Sequence, residues 1–159
     1  MDNSKIFIGG APRTGTTLLK GILCNDNETF PVIRECTYLR YLISAYSQGK
    51  FLWDYHTYDY FDSKEDFQNF HREIIDKYFN HVYSRFGQNK VMVQKHPGLA
   101  IHFPDLDELY PDECLFILMI RDPRDAIASF LKINRDKGYT VKSSLDAYME
   151  PYYNSMNYF

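Results

Sequence analysis

The chain has 159 residues, a formal net charge of −3 and a 45 % apolar, 17 % aromatic composition. That length and apolar share support a real core and exclude a disordered chain. The acidic balance argues against a nucleic-acid-coating protein, although a local basic pocket remains compatible with it.

Lys5 to Ile8 is a short apolar run bounded by Gly9 and Gly10, which predicts a buried first strand. Leu18, Leu19, Ile22 and Leu23 recur at helical spacing over Thr16–Cys24, and the polar stretch Asn25–Phe30 reads as a loop. Leu39, Leu42, Ile43 and Tyr46 predict a helix over Thr37–Ser47. Gly49–Asp62 is aromatic and irregular; its segment Phe51–Phe61 is expected to serve as core packing, with an acceptor pocket as the other reading. Ser63 with Asp66 three residues on is an N-terminal capping pattern for a long helix that Gly87 stops. Lys90–Gln94 reads as a second strand and Leu99–Leu109 as a helix. Cys114–Ile120 (CLFILMI) is continuously apolar, as expected of a strand buried on both faces. Pro123 opens a further helix, and Ser144–Met156 is expected to form a last helix broken near Pro151.

Strands alternating with helices predict an α/β fold with a parallel sheet, in one domain over residues 1–159. Ligands of such sheets bind at the carboxyl ends of the strands. Three such ends carry polar residues: Gly10–Thr17, Lys95-His96 and Arg121-Asp122. Three widely spaced cysteines without a CxxC read as reduced thiols. No leading basic-then-apolar segment occurs, Asp2 is acidic, and no apolar run is long enough to span a bilayer. A cytoplasmic protein without a membrane partner is the expectation.

The first strand end holds half of a phosphate-loop pattern, Gly10-Ala11-Pro12-Arg13-Thr14-Gly15. Glycines let backbone N–H groups curl toward an anion, and the following helix adds its positive end. The lysine that would follow Gly15 to reach a nucleoside triphosphate is replaced by Thr16, and a cation stands inside the loop at Arg13. A generic strand-to-helix turn is the alternative. In FILMIRDPRDAIASF, Arg121 at a strand end and Ser129 eight residues on suit a second, separate phosphate. Arg121 could instead pair with Asp122 or Asp125, with Ser129 merely packing.

Together these two segments resemble a known family. Ala11-Pro12-Arg13-Thr14-Gly15-Thr16-Thr17-Leu18 is similar to the sulfotransferase loop for a 5′-phosphosulfate. Arg121-Asp122-Pro123-Arg124-Asp125 with Ser129 is similar to that family's 3′-phosphate motif. The form with arginine in the loop is most like the tyrosylprotein and bacterial branches, and the likeness runs from about Lys5 to Lys132. It implies a P-loop-type three-layer α/β/α domain. It also implies transfer of a sulfonyl group from 3′-phosphoadenosine 5′-phosphosulfate (PAPS) to a hydroxyl or amine, without a metal. A small P-loop kinase or NTPase fits less well, because the lysine is missing. A non-catalytic nucleotide-binding homologue is the other alternative.

By the same resemblance Arg13, Thr14, Gly15, Thr16 and Thr17 cradle the 5′-phosphate, and Arg121 with Ser129 holds the 3′-phosphate. Arg13 stabilises charge on the bridging oxygen and Lys95 the transferring group. A base is required near the acceptor oxygen, and two residues qualify. Glu35, in IRECT, aligns with the glutamate base of the tyrosylprotein branch after one inserted residue. His96 follows Lys95 directly, where the cytosolic enzymes have Lys-x-His; that shift reverses its facing. Glu35 is the preferred base. His56, His71, His81 and His102 have no spacing suited to a metal. Family domains are longer, so the chain is expected to carry an incomplete sulfotransferase domain. Such a chain would associate with a second copy or a missing C-terminal partner, or be less stable. The acceptor is not readable.

Overall fold

A computed structural model describes residues 5–156 and 158; Asp2, used in the reading of the leading segment above, lies outside them. Three parallel strands, β1 (Lys5–Gly10), β2 (Met92–Lys95) and β3 (Cys114–Met119), form a sheet of order β2-β1-β3. Six α-helices surround it: α1 (Thr16–Leu23), α2 (Thr37–Phe51), α3 (Lys64–Phe86), α4 (Phe103–Leu109), α5 (Pro123–Ile133) and α6 (Val141–Met156). This is the α/β architecture the alternation predicted.

The register sorts the side chains by sheet face. Lys5, Met92 and Cys114 are paired, as are Phe7, Gln94 and Phe116, so these share one face. Here Phe7 stacks on Phe116 at 6.0 Å and meets Phe79 of α3 at 6.3 Å. Leu39, Ile43, Ile75, Leu106 and Tyr110 complete this main core. Ile8, Lys95 and Ile117 point to the other face, which α1 covers beside β1 and β2.

Several elements depart from expectation for identifiable reasons. Strand β1 runs to Gly10 because Gly9 and Gly10 still pair with Leu118 and Met119. The Leu99–Leu109 helix is divided into a 3₁₀ segment, Pro97–His102, and α4. Pro104 in the first turn of α4 has no N–H to donate backwards, so the ladder restarts there. Strand β3 is not buried on both faces: it is a sheet edge, and Leu115 is 57 % exposed. Helix α6 is not broken at Pro151. Tyr148 and Tyr152 pack with Ala11 and Ala126 on either side of the proline, and the helix continues through it despite the lost hydrogen bond.

The aromatic stretch Phe51–Phe61 is core only in part. Trp53 and Phe61 pack on Phe67, whereas Phe51, Tyr55, Tyr58 and Tyr60 face outward. Phe51 ends α2, whereas Tyr58 and Tyr60 lie in a short 3₁₀ turn, Thr57–Tyr60. The cap of α3 forms as read: the Asp66 N–H donates to Ser63 Oγ at 3.0 Å.

Candidate functional site

The loop between β1 and α1 lies at the carboxyl edge of the sheet. Its turn is built from left-handed backbone: φ is 140° at Gly10, 72° at Arg13 and 102° at Gly15. A side chain at Gly10 would also run into the Met119 carbonyl of β3. Thr14 is used internally, its N–H and hydroxyl both donating to the Ala11 carbonyl, at 3.3 and 2.8 Å. Helix α1 then begins with no side-chain cap and no acidic residue in its first turn. Its free N–H groups and dipole therefore present a positive end to the loop.

Two arginines meet at this loop. Arg13 Nε donates to Ser129 Oγ of α5 at 3.1 Å, and Arg121 Nη1 donates to the Arg13 carbonyl at 3.2 Å. Arg121 also stands 3.7 Å from Asp125, while Asp122 is occupied by Arg124 at 2.6 Å. So the Arg121–Asp125 pairing exists, yet it leaves the guanidinium beside the loop. Tyr148 of α6 donates its hydroxyl to the Arg121 carbonyl at 2.5 Å. This contact ties the last helix to the strand end that carries Arg121.

Lys95 ends β2, and its side chain leaves on the α1 face of the sheet. It is almost wholly buried and forms an ion pair with Glu35. Glu35 lies in the extended segment before α2. The Cys36 N–H donates to the Lys95 carbonyl at 3.1 Å, so backbone pairing sets this carboxylate beside the lysine. His96, one residue on, faces differently. Its Nδ1 accepts from the Gly98 N–H at 3.1 Å and its Nε2 is 3.9 Å from Glu35 Oε2. Burial pushes the imidazole pKa down, Arg40 and Lys95 add to this, and only Glu35 opposes it. Neutral His96 thus braces the turn after β2 and stands behind Glu35.

A cavity of about 520 Å³ gathers Arg13, Thr16, Thr17, Lys95 and Arg121 in its wall, with Glu35 as its one carboxylate among the described residues. Thr14, His96 and Ser129 stand outside that wall. A pocket of this size and charge suits an anionic small molecule. Among the described residues no group of three or more histidine, cysteine or acidic side chains is placed to hold a metal ion, and no helix is long and apolar enough to cross a membrane. The three cysteines are free thiols, and burial pushes Cys36 up to about 12.

Sequence reasoning missed Lys20, Pro97 and Tyr148. Lys20 had a faint signal: it follows Thr16 by one helical turn. Both are buried while Leu18 and Ile22 are 70 % and 63 % exposed. Thr16 and Lys20 of α1 thus turn inward, whereas Leu18 and Ile22 face out.

Comparison with known proteins bears on the family and the fold of the chain. The family model described as "Sulfotransferase family" matches residues 5–159. A Caenorhabditis briggsae protein, provisionally named a protein-tyrosine sulfotransferase, is 29 % identical over 128 residues, which are 80 % of this chain and 42 % of that protein. The sulfotransferase domain of the Synechococcus PCC 7002 olefin synthase superposes with a TM-score of 0.62 at 19 % identity, over 99 % of this chain and 62 % of that one. That likeness establishes a shared fold. The chain therefore spans less than half of the curated relative and under two thirds of the structural one. With its loop, its sheet and its strand-end cations in place, the chain belongs to the sulfotransferase family.

Proposed function

We propose that this chain transfers a sulfonyl group from PAPS to a hydroxyl or amine acceptor. The observation that carries the reading is the convergence of Arg13, Lys95, Arg121 and the uncapped α1 N-terminus on one cavity whose single carboxylate is Glu35. The donor offers two separated anionic groups. The loop with Thr16 and Thr17 suits the 5′ end, and Arg121 with Ser129, bridged by Arg13, suits the 3′-phosphate.

The chemistry needs a proton acceptor and a charge stabiliser at one point. Glu35 takes the acceptor's hydroxyl proton as that oxygen bonds to sulfur. The bond from sulfur to the bridging phosphate oxygen breaks, and its electron pair leaves with adenosine 3′,5′-bisphosphate. Lys95 and Arg13 offset the charge on the transferring group and the departing oxygen. His96 holds the Lys95–Glu35 corner in place.

A second reading is a nucleotide-binding homologue that does not transfer, favoured by the ion pair that ties the Glu35 carboxylate to Lys95. Calorimetry with adenosine 3′,5′-bisphosphate and with ATP plus magnesium separates the classes. Preference for the bisphosphate is expected; preference for ATP would sink the proposal. Bisphosphate binding with no sulfonyl transfer to any hydroxyl compound favours the second reading. Arg121→Ala should weaken binding of the bisphosphate about tenfold and of adenosine 5′-phosphate much less. Equal weakening contradicts the role given to Arg121.

A further inference from the structure

A second cavity, of about 510 Å³, adjoins the first and shares Thr17, Glu35 and Lys95 with it. Beyond that common wall it is bounded by Lys20 of α1 and by Val32, Ile33 and Arg34 of the extended segment. Lys20 lines this cavity and not the first.

Lys20 is 3 % exposed, yet no carboxylate pairs with it among the described residues. Its one hydrogen bond there is a long one, 3.5 Å, to the Arg34 carbonyl. The nearest acidic group of the cavity, Glu35, is already taken by Lys95. An ammonium withdrawn from water without a counter-charge is unfavourable. Burial accordingly pushes its pKa down; Cys36, Cys24 and Glu35 offset this only in part, and the neighbouring charge of Lys95 adds to it. Among the described residues, three cations of this wall, Lys20, Arg34 and Lys95, thus face a single carboxylate. The imbalance is one that an anionic ligand would correct.

We propose that the second cavity receives the acceptor and that Lys20 in its wall binds a carboxylate carried by that acceptor, so that the substrate is a hydroxy acid rather than a neutral alcohol. The proposal rests on the sulfotransferase reading. The hydroxyl lies at the shared wall, against Glu35 and Lys95, while the carboxylate reaches Lys20.

The test is calorimetric titration of two hydroxy acids, 3-(4-hydroxyphenyl)propanoate and 10-hydroxydecanoate, and of their methyl esters. Titrations are run with and without adenosine 3′,5′-bisphosphate. At least one acid is expected to bind about tenfold more tightly than its ester, the value of one charge-assisted contact. In Lys20→Met and in Lys20→Gln the acid should bind no better than the ester, with ester affinity unchanged. Lys20→Met should also raise the unfolding temperature of the free protein, since it removes an uncompensated buried charge. Equal binding of acid and ester in the wild type overturns the proposal. So does a preference that survives in both variants, or binding of none of the four compounds. The bisphosphate titration stands apart: its failure sinks the donor reading, whereas its success without any carboxylate preference sinks only the assignment of Lys20.

Discussion

Glu35 and Lys95 are 60 positions apart in the chain and form one ion pair at the wall between two cavities. If Glu35 is the base, Glu35→Gln keeps a hydrogen-bonding partner for Lys95 but cannot take a proton. Turnover is expected to fall roughly 10²–10⁴-fold while bisphosphate affinity stays within a few-fold. Unchanged turnover would remove Glu35 from the mechanism and return attention to His96. One position earlier in β2, Gln94 faces the opposite side of the sheet and is 1 % exposed, with neither amide atom partnered among the described residues. A buried polar atom without a partner costs about 1–3 kcal/mol. Gln94→Met is therefore expected to stabilise the fold by about 1 kcal/mol, read as a higher midpoint in urea. A lower midpoint would show that the amide has a function in the core.

At the scale of elements, the site depends on close approach. Strand β1 and the 3₁₀ segment after β2 meet so tightly that a Cβ at Gly9 would sit 2.6 Å from the Ala100 backbone nitrogen. Backbone cannot swing aside as a long side chain can. Gly9→Ala should cost about 1–3 kcal/mol of stability, and, because Gly9 precedes the loop, should weaken bisphosphate binding as well. Wild-type stability in thermal unfolding would contradict this packing. Helix α6 makes its own contribution through Tyr148, which fixes the Arg121 carbonyl from the far side. Neither contact is visible in the loop motif itself, since both join segments remote in sequence.

At the scale of the whole molecule, helices α2 and α4 are clasped by a polar cluster away from the cavities. Ser47 and Lys50 donate to Asp105, Lys50 at 2.7 Å, and His102 lies 3.5 Å from it. Burial alone would raise the Asp105 carboxyl, but the hydrogen bonds from His102, Lys50 and Ser47 outweigh it and hold the group at about 2. A value depressed from 3.8 contributes stability that is complete above about pH 4 and is lost as the pH falls toward 2. The contribution is about 2 kcal/mol. Asp105→Asn should remove it at neutral pH and flatten the acid limb of the stability profile between pH 4 and 2. An unaltered limb would mean that other carboxylates control acid unfolding. On the α1 side of the sheet, Leu18, Ile22 and Leu115 remain exposed, so the helical layer there is thin.

How far the sequence reaches can be judged from particular residues. Local chemistry sufficed for the alternation of strands and helices, the Gly10–Gly15 loop, the Ser63 cap and the polar strand ends. Those depend on neighbours within a few positions, and so do the Arg13 and Arg121 motifs. The pairing of Lys95 with Glu35, the edge position of β3 and the union of Arg13 with Ser129 arise from contacts across 60 to 116 positions or from strand order. No local pattern encodes these. Helix α1 shows the division most clearly. Its spacing determined that Leu18 and Ile22 share one side and Thr16 and Lys20 another. Periodicity, however, is symmetric under rotation of the helix. Only docking against the sheet decided that the side carrying Thr16 and Lys20 turns inward, burying a lysine that an amphipathic reading would leave in solvent.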